Sequence, residues 1–215
     1  AHLEQVGGLV AVNQTRRFIP ACEKIRELVA SGQLGDDLSV VVREGDRFDW
    51  PAATPSMFGA RSQGRGVLLD IGVHVLDLMT WWFGPDLSVV EYADDSFGGS
   101  EAAVECVLEG SDCRIRIHLS WLQKQKNEYI LSGTKGRITW GVYDLDELRF
   151  GGADGSAEKT VRIPGAPRSF AGLAHLVLAD FVRAVRSGAR PRVSADDVVA
   201  SMRLIEDCYD RRRRF

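Results

Sequence analysis

A polar stripe on an otherwise apolar segment, residues 64–84, carries side chains that can move protons. At 100° per residue, four side chains project from one narrow face of a helix: Asp70, His74, Asp77 and Trp81. A helix that is apolar nearly all round is normally buried, so we expect this stripe to face a cleft. An aspartate one turn from a histidine can fix the imidazole tautomer and tune it for proton transfer. We therefore predict Asp70 and His74 as catalytic residues and Asp77 as a substrate-binding neighbour.

Other chemistries fit the sequence less well. A zinc site lacks paired histidines, because His2, His118 and His175 stand in no metal-binding motif. A serine hydrolase lacks the GxSxG turn, and no cysteine lies in a glycine-rich elbow. A structural alternative remains open, in which the stripe is the solvent edge of a core helix and the Asp–His pair contributes a few tenths of a kcal/mol.

Charge and hydropathy exclude several classes of partner. The 215 residues include 27 basic and 30 acidic side chains, for a net charge of -3. This balance argues against a nucleic-acid or anionic lipid partner, and the basic run at 211–214 is interpreted as a solvated helix end. The longest apolar run, 67–83, contains two aspartates and a histidine, so no membrane span is expected.

The cysteines bear on the cellular compartment, and the first residues bear on where this segment lies in the whole protein. Four cysteines are present, with no CxxC spacing, and we interpret them as reduced thiols of a cytoplasmic protein. The chain starts with AHLEQVGGLVAV, which has neither an initiator methionine nor the pattern of a signal peptide. These features suggest the middle of a protein rather than a natural beginning.

The pattern of elements predicts an α+β fold. Residues 9–12 are expected to form a strand, followed by a helix that begins at Pro20 and ends near Gly32. Segments with period-2 alternation then predict a large, mostly antiparallel open sheet with helices on one face. These segments are 38–43, 88–94, 102–109, 113–121, 128–133, 137–142, 147–150 and 160–164.

Two helices are predicted to close the chain. The first spans about 169–187, with an apolar stripe that includes Phe170 and Phe181. The second begins after Ser194, and Asp197 three residues later completes an arrangement like a capping box.

At three stretches the chain resembles the Gfo/Idh/MocA family, which includes glucose–fructose oxidoreductase and inositol dehydrogenase. Residues 12–36 look like the last Rossmann strand of that family, its Arg-Arg-Phe turn and its crossover helix. Asp70, Gly72 and His74 match the family's D-x-G-x-H pair, and 194–212 is similar to its closing helix. The resemblance covers essentially the whole chain.

The resemblance implies an NAD(P)-dependent oxidoreductase acting on a sugar or polyol. Residues 1–36 would be the tail of a Rossmann nucleotide-binding domain, preceding a substrate-binding and dimerisation domain at 37–215. No GxGxxG turn and no E-K-P motif occurs, so the cofactor, NAD or NADP, and the family's catalytic lysine would belong to a preceding segment. We expect this chain alone to bind no cofactor and no metal, and to be inactive alone.

The resemblance also assigns roles around the cleft. His74 would contact the hydroxyl being oxidised, with Asp70 ordering either the hydroxyls or the imidazole, while the absent lysine remains an alternative proton acceptor. Arg16, Arg17 and Trp50 are substrate-binding candidates. For each there is a structural alternative, since the arginines can tie strand to helix and Trp50 can fill a core edge.

The predicted sheet also bears on assembly and on an alternative function. A sheet with one free face suggests a homodimer or a higher even oligomer formed through the sheet. A second hypothesis is a non-catalytic sugar-binding or assembly module that acts without a cofactor.

Overall fold

The helices of the chain lie in three regions of the sequence. The computed structural model describes residues 8–49, 51, 66–96, 99–167 and 169–215. A 3₁₀ turn, Thr15–Phe18, precedes helix α1, Pro20–Ala30. A π-turn, Leu68–Gly72, leads into α2, Val73–Phe83. Two further helices, α3 at Phe170–Ser187 and α4 at Val199–Asp210, close the chain, with the 3₁₀ turn Asp196–Val198 before α4.

The described strands form one sheet in the order β8-β7-β6-β5-β1-β4-β3-β2-β9. Only β1/β4 and β2/β9 pair in parallel, so the predicted large and mostly antiparallel sheet is confirmed. Its strands are β1 Leu38–Gly45, β2 Ser88–Asp94, β3 Ala103–Gly110, β4 Cys113–Ser120, β5 Glu128–Ser132, β6 Arg137–Gly141, β7 Glu147–Gly151, β8 Lys159–Arg162 and β9 Arg213–Arg214.

Successive side chains of each strand point to opposite faces of the sheet, which have different environments. In β4, Ile115, Ile117 and Leu119 are buried beneath the helices, while Arg116 and His118 point to the opposite, open face. On the helix side, Trp82 of α2 makes edge contacts with Tyr129 and Trp140 of the sheet. This aromatic cluster seats α2 on the sheet.

Helix α1 begins and ends as predicted, but the strand expected before it is wrong. Pro20 occupies the first turn, and Gly32 follows the helix with a φ of 68°, the left-handed conformation of a helix end. Residues 9–12 form only an isolated bridge between Ala11 and Ser194. A strand needs neighbours along its length, and within the described ranges that segment has only this partner.

The start of the π-turn is fixed by a buried acid, Glu101. The backbone N–H groups of Gly66 and Leu68 both donate to its Oε1, at 2.7 and 3.1 Å. The N–H of Val67 donates to the backbone carbonyl of Glu101 at 2.9 Å. A Cβ on Gly66 would lie 2.0 Å from that same carbonyl oxygen, so the close approach requires glycine. The sequence GRG at 64–66 predicts glycines that allow a tight helix entry rather than bind a ligand, and for Gly66 this is confirmed, while Gly64 lies outside the described residues.

Two expectations about the C-terminal third are wrong, one of them in part. The basic run at 211–214 is not a helix end, because α4 ends at Asp210 and Arg213–Arg214 adds an edge strand beside β2. For α3 the predicted stripe is wrong in part, because Leu173 is buried and Val177 packs against the core, but Phe170, Phe181 and Val185 remain exposed. Within the described ranges, no helix combines the length and apolarity needed to cross a bilayer.

We expect Gly66→Ala to destabilise the fold by about 1–3 kcal/mol or more, because the new methyl group must displace the backbone of residue 101. Urea unfolding of the purified chain measures this change. Gly99→Ala is the matched control, because a Cβ there meets nothing within 4 Å. Equal stability of the two variants would contradict the close approach at Gly66.

Candidate functional site

The π-turn changes the polar stripe, because side chains that the sequence predicts on one helix face no longer share that face. Bonding from residue i to i+5 widens the turn at Leu68–Gly72, so side chains in it shift around the helix axis relative to those of α2. Asp70 is exposed, His74 is half-buried and Asp77 is buried. The predicted contact between Asp70 and His74 is absent among the described residues, and the imidazole instead meets Gln14.

Gln14 orients the imidazole of His74. Its side-chain carbonyl Oε1 lies 2.8 Å from Nδ1 of His74, and the glutamine is itself buried. A carbonyl oxygen can only accept, so Nδ1 carries the proton and Nε2 of the neutral ring is left as an acceptor. Nothing in the sequence pattern marks Gln14, because its role depends on packing across the chain.

Burial sets the charge state of His74. Loss of solvent lowers the pKa of the imidazole to about 4, and the nearby positive charge of Arg16 acts in the same direction, against the opposing effect of Glu44. The ring is therefore neutral at neutral pH. A neutral imidazole with a defined tautomer is a hydrogen-bond acceptor for a hydroxyl group.

Asp70 lies one turn before His74, close to the indole of Trp121. Partial burial raises the pKa of Asp70, an effect opposed by the Trp121 side chain and reinforced by the negative charge of Glu44. Asp70 as a whole residue is nevertheless exposed. It is therefore accessible to a polar ligand.

Arg16 belongs to a buried cluster at the end of β1. Its Nη1 donates to Oε2 of Glu44 and to the hydroxyl of Tyr129, each at 2.8 Å, and Nη2 donates to Oε1 of Glu44. The Tyr129 hydroxyl donates to the same carboxylate at 3.0 Å. The positive charge of Arg16 is thus neutralised by Glu44, and the cluster faces a cleft of about 480 Å³.

The assignment of Arg17 and Asp77 to substrate binding does not fit the structure. Arg17 donates from Nε and Nη2 to the two carboxylate oxygens of Asp77, at 2.8 and 2.7 Å, and the aspartate has no exposed surface. Arg17 also donates to the backbone carbonyl of Asp197 at 2.9 Å. Such a bidentate pair is structural, because breaking it would leave a buried charge unpaired. The tie between turn and helix is the alternative that the structure favours.

Trp81, the last member of the stripe, lies with this ion pair. The guanidinium carbons of Arg17 and Arg26 lie 5.6 and 5.0 Å from the centre of its ring. These cation–π contacts bind α2 to the Thr15–Phe18 turn and to α1. The second half of the stripe is therefore an internal contact, whereas Asp70 is exposed and His74 is half-buried.

The cleft extends from the π-turn to the turn between β6 and β7. Ile71, next to Asp70, and Tyr143 both line it. Polar side chains make up much of the remaining lining: Arg16, Glu44, Asp46, Arg47, Asp49 and Asn127. Trp50, the remaining predicted substrate contact, lies outside the described residues.

Metal-binding groups are not gathered at this cleft. In the part of the chain that the structure describes, no three His, Cys, Asp or Glu side chains are close enough together to hold an ion.

Comparison with protein families gives one match. Residues 22–139 match the family model described as the GFO/IDH/MocA C-terminal domain. The rhizopine catabolism protein MocA of Rhizobium meliloti is 27% identical over 202 residues, which cover 89% of this chain and 56% of that protein.

Solved structures share the fold. An aldose–aldose oxidoreductase from Caulobacter crescentus, in complex with glycerol, has a TM-score of 0.79 at 21% identity, with coverage of 97% of this chain and 63% of that one. A levoglucosan dehydrogenase, in complex with NADH and levoglucosan, has a TM-score of 0.75 at 18% identity, with coverage of 95% and 65%. A 3-ketoreductase from Actinomadura kijaniata, in complex with NADP and TDP-benzene, has a TM-score of 0.79 at 17% identity, with coverage of 99% and 65%. The chain spans less than two thirds of the length of each.

Proposed function

The chain belongs to the GFO/IDH/MocA family, and on this premise we propose that it is the substrate-binding half of an NAD(P)-dependent oxidoreductase that acts on a hydroxyl group of a sugar or polyol. Proteins that share its fold include the aldose–aldose oxidoreductase in complex with glycerol and the levoglucosan dehydrogenase in complex with NADH and levoglucosan. Residues 37–215 would supply the substrate cleft, and residues 1–36 would continue a nucleotide-binding half.

The observation that carries the proposal is the state of His74. Gln14 holds Nδ1 as the protonated nitrogen, and burial keeps the ring neutral. Nε2 can then accept the proton of a substrate hydroxyl as that carbon is oxidised. Because Gln14 fixes the imidazole in place, little reorganisation is needed when the hydroxyl arrives.

Asp70 is proposed to bind neighbouring hydroxyl groups. The residue is exposed, and its carboxylate can accept hydrogen bonds from two hydroxyls at once, which suits a polyol. Since the imidazole of His74 already has Gln14 as its partner, the role in orienting that ring falls to Gln14. Asp70 acts on the substrate.

The cofactor is proposed to be held by the other half of the protein. A bound nicotinamide supplies hydride transfer, and its pyrophosphate needs backbone N–H groups at a helix start. Helix α1, which follows the N-terminal segment, begins with Pro20, whose nitrogen has no N–H, and no glycine precedes it in the turn. The start of α1 therefore does not fit the pyrophosphate, whereas His74 and Asp70 fit the substrate.

A cytoplasmic location is part of the proposal. All four cysteines are free, and the sulfur atoms of Cys106 and Cys208 lie 3.7 Å apart without a bond between them. Paired but unbonded thiols suit a reducing compartment.

We also propose a homodimer, or a higher even oligomer, formed through the open face of the sheet around residues 102–142. A groove of about 750 Å³ lies on this face, and Val41 and Val107 line it together with Arg43 and Arg116. Acidic and basic side chains alternate there: Glu105 lies 3.6 Å from His118, and Arg43 lies 3.5 Å from Glu128. A surface with both apolar and paired charged groups can complement a second copy of itself.

In a protein that joins this chain to its nucleotide-binding half, we expect His74→Ala to lower kcat by about 10² to 10⁴-fold, the usual contribution of a general acid or base. Asp70→Asn should have an intermediate effect. The activity that depends on neutral His74 should persist above its pKa of about 4 and fall as the pH drops through that value. The measurement is steady-state kinetics over a pH series, with thermal melts of the same samples.

The control is His175→Ala, which removes an exposed imidazole from α3. Activity that merely follows the folded fraction would refute the catalytic role.

Calorimetric titration of this chain with NADH and NADPH should detect no micromolar binding, because the start of α1 does not fit the pyrophosphate. Micromolar binding would mean that the assignment of the cofactor to the other half is wrong.

Light scattering at micromolar concentration should report at least twice the monomer mass. Val107→Glu should dissociate the assembly, because Val107 lies on the open face opposite Glu91 and would place a second acid beside it. Leu178→Glu is the matched control, as it alters an apolar side chain exposed on α3. A monomeric parent chain, or dissociation by both variants, would contradict an interface on the sheet.

A further inference from the structure

Two aromatic side chains of the cleft lining are exposed. Tyr143 is 61% exposed and Phe170 is 48% exposed, and both line the cleft. Their ring centres are 6.2 Å apart and the rings meet at 78°, an edge-to-face arrangement. Packing of the fold does not explain why these two rings are present, because neither ring belongs to the buried core.

Rigid elements hold the two rings in place. Tyr143 lies in the tight turn between β6 and β7, where the indole N–H of Trp140 donates to the carbonyl of Asp144 at 2.8 Å. The same turn is closed by the backbone bond from Asp144 to Gly141 at 2.9 Å. Phe170 is the first residue of α3, directly after the Ser169 cap, whose side chain accepts from the N–H of Gly172. A site on such supports binds with little loss of conformational entropy.

The lining of the same cleft also carries groups that bind hydroxyls. Asp46 keeps one carboxylate oxygen available, since the other accepts from the N–H of Arg47 at 3.0 Å. Oδ1 of Asn127 accepts from the N–H of Gly45 at 2.8 Å, and its amino group has no partner within the described ranges. The cleft thus offers both an acceptor and a donor at fixed positions.

A sugar or cyclic polyol has the complementary chemistry. Its ring edge carries hydroxyl groups, while its axial C–H groups form a weakly apolar face that packs on an aromatic side chain. A cleft of about 480 Å³ is in the range that accommodates such a ring. Ile71 also lines the cleft, which therefore borders the π-turn that carries Asp70.

We propose that Tyr143 and Phe170 form an aromatic wall that packs against the C–H face of a sugar or cyclic polyol ring, while Asp46 and Asn127 bind its hydroxyls. The inference rests on the proposed function and adds the determinants of substrate recognition. The wall selects for a ring, since an open-chain polyol such as glycerol presents no C–H face of comparable size.

Binding to the chain itself tests the wall without any turnover. Titration with D-glucose, myo-inositol and glycerol, followed by saturation-transfer NMR, gives affinities and identifies the protons nearest the protein. We expect the two rings to bind more tightly than glycerol, with the strongest transfer to their axial C–H protons. Tyr143→Ala and Phe170→Ala should each weaken ring binding by about threefold to tenfold, in line with the usual strength of one aromatic contact.

Two variants separate stacking from other causes. Tyr143→Phe keeps the ring and should bind as the parent does, and Leu176→Ala removes an exposed apolar side chain of α3 that lies outside the cleft lining. No binding of either ring by the parent chain, or equal binding by parent and both alanine variants, would overturn the aromatic wall. If the protein joined to its nucleotide-binding half oxidises no sugar or polyol, while the alanine variants still lose ring binding, the proposed oxidoreductase role fails and the wall stands.

Discussion

The buried carboxylate of Glu101 holds the helix that carries the proposed chemistry. The first N–H groups of a helix have no partner inside it, and here Gly66 and Leu68 find theirs on Glu101, while Val67 binds its backbone carbonyl. Burial raises the pKa of Glu101, and these backbone donors partly offset that effect. The π-turn and the position of Asp70 follow from this attachment.

Two consecutive arginines, Arg16 and Arg17, position Gln14, which is the hydrogen-bond partner of the His74 imidazole. Arg16 extends to Glu44 on the sheet, and Arg17 extends to Asp77 on α2, so a single 3₁₀ turn is tied to both layers. Gln14, which precedes this turn, is thereby held beside His74. Both arginine charges are paired with carboxylates: the Arg17–Asp77 pair is buried inside the fold, and the Arg16–Glu44 pair forms part of the cleft lining.

The sequence alone determined most of the architecture. Each period-2 segment is a strand within one or two residues of its predicted bounds, because alternation of apolar side chains reflects burial on one face of a sheet. Pro20 and Gly32 mark the ends of α1, since both act through local backbone geometry. The close approach required at Gly66 was also predictable, and the D-x-G-x-H pattern placed Asp70 and His74 on one helix.

Only the tertiary structure decided which side chains meet. A helical wheel with a constant 100° step cannot show the π-turn, so the sequence put Asp70, His74 and Asp77 on one face, whereas the fold gives each a different environment. The partners of His74 and Asp77, which are Gln14 and Arg17, lie 60 positions away along the chain in both cases. Contacts over such separations depend on how the layers pack, and local periodicity carries no information about them.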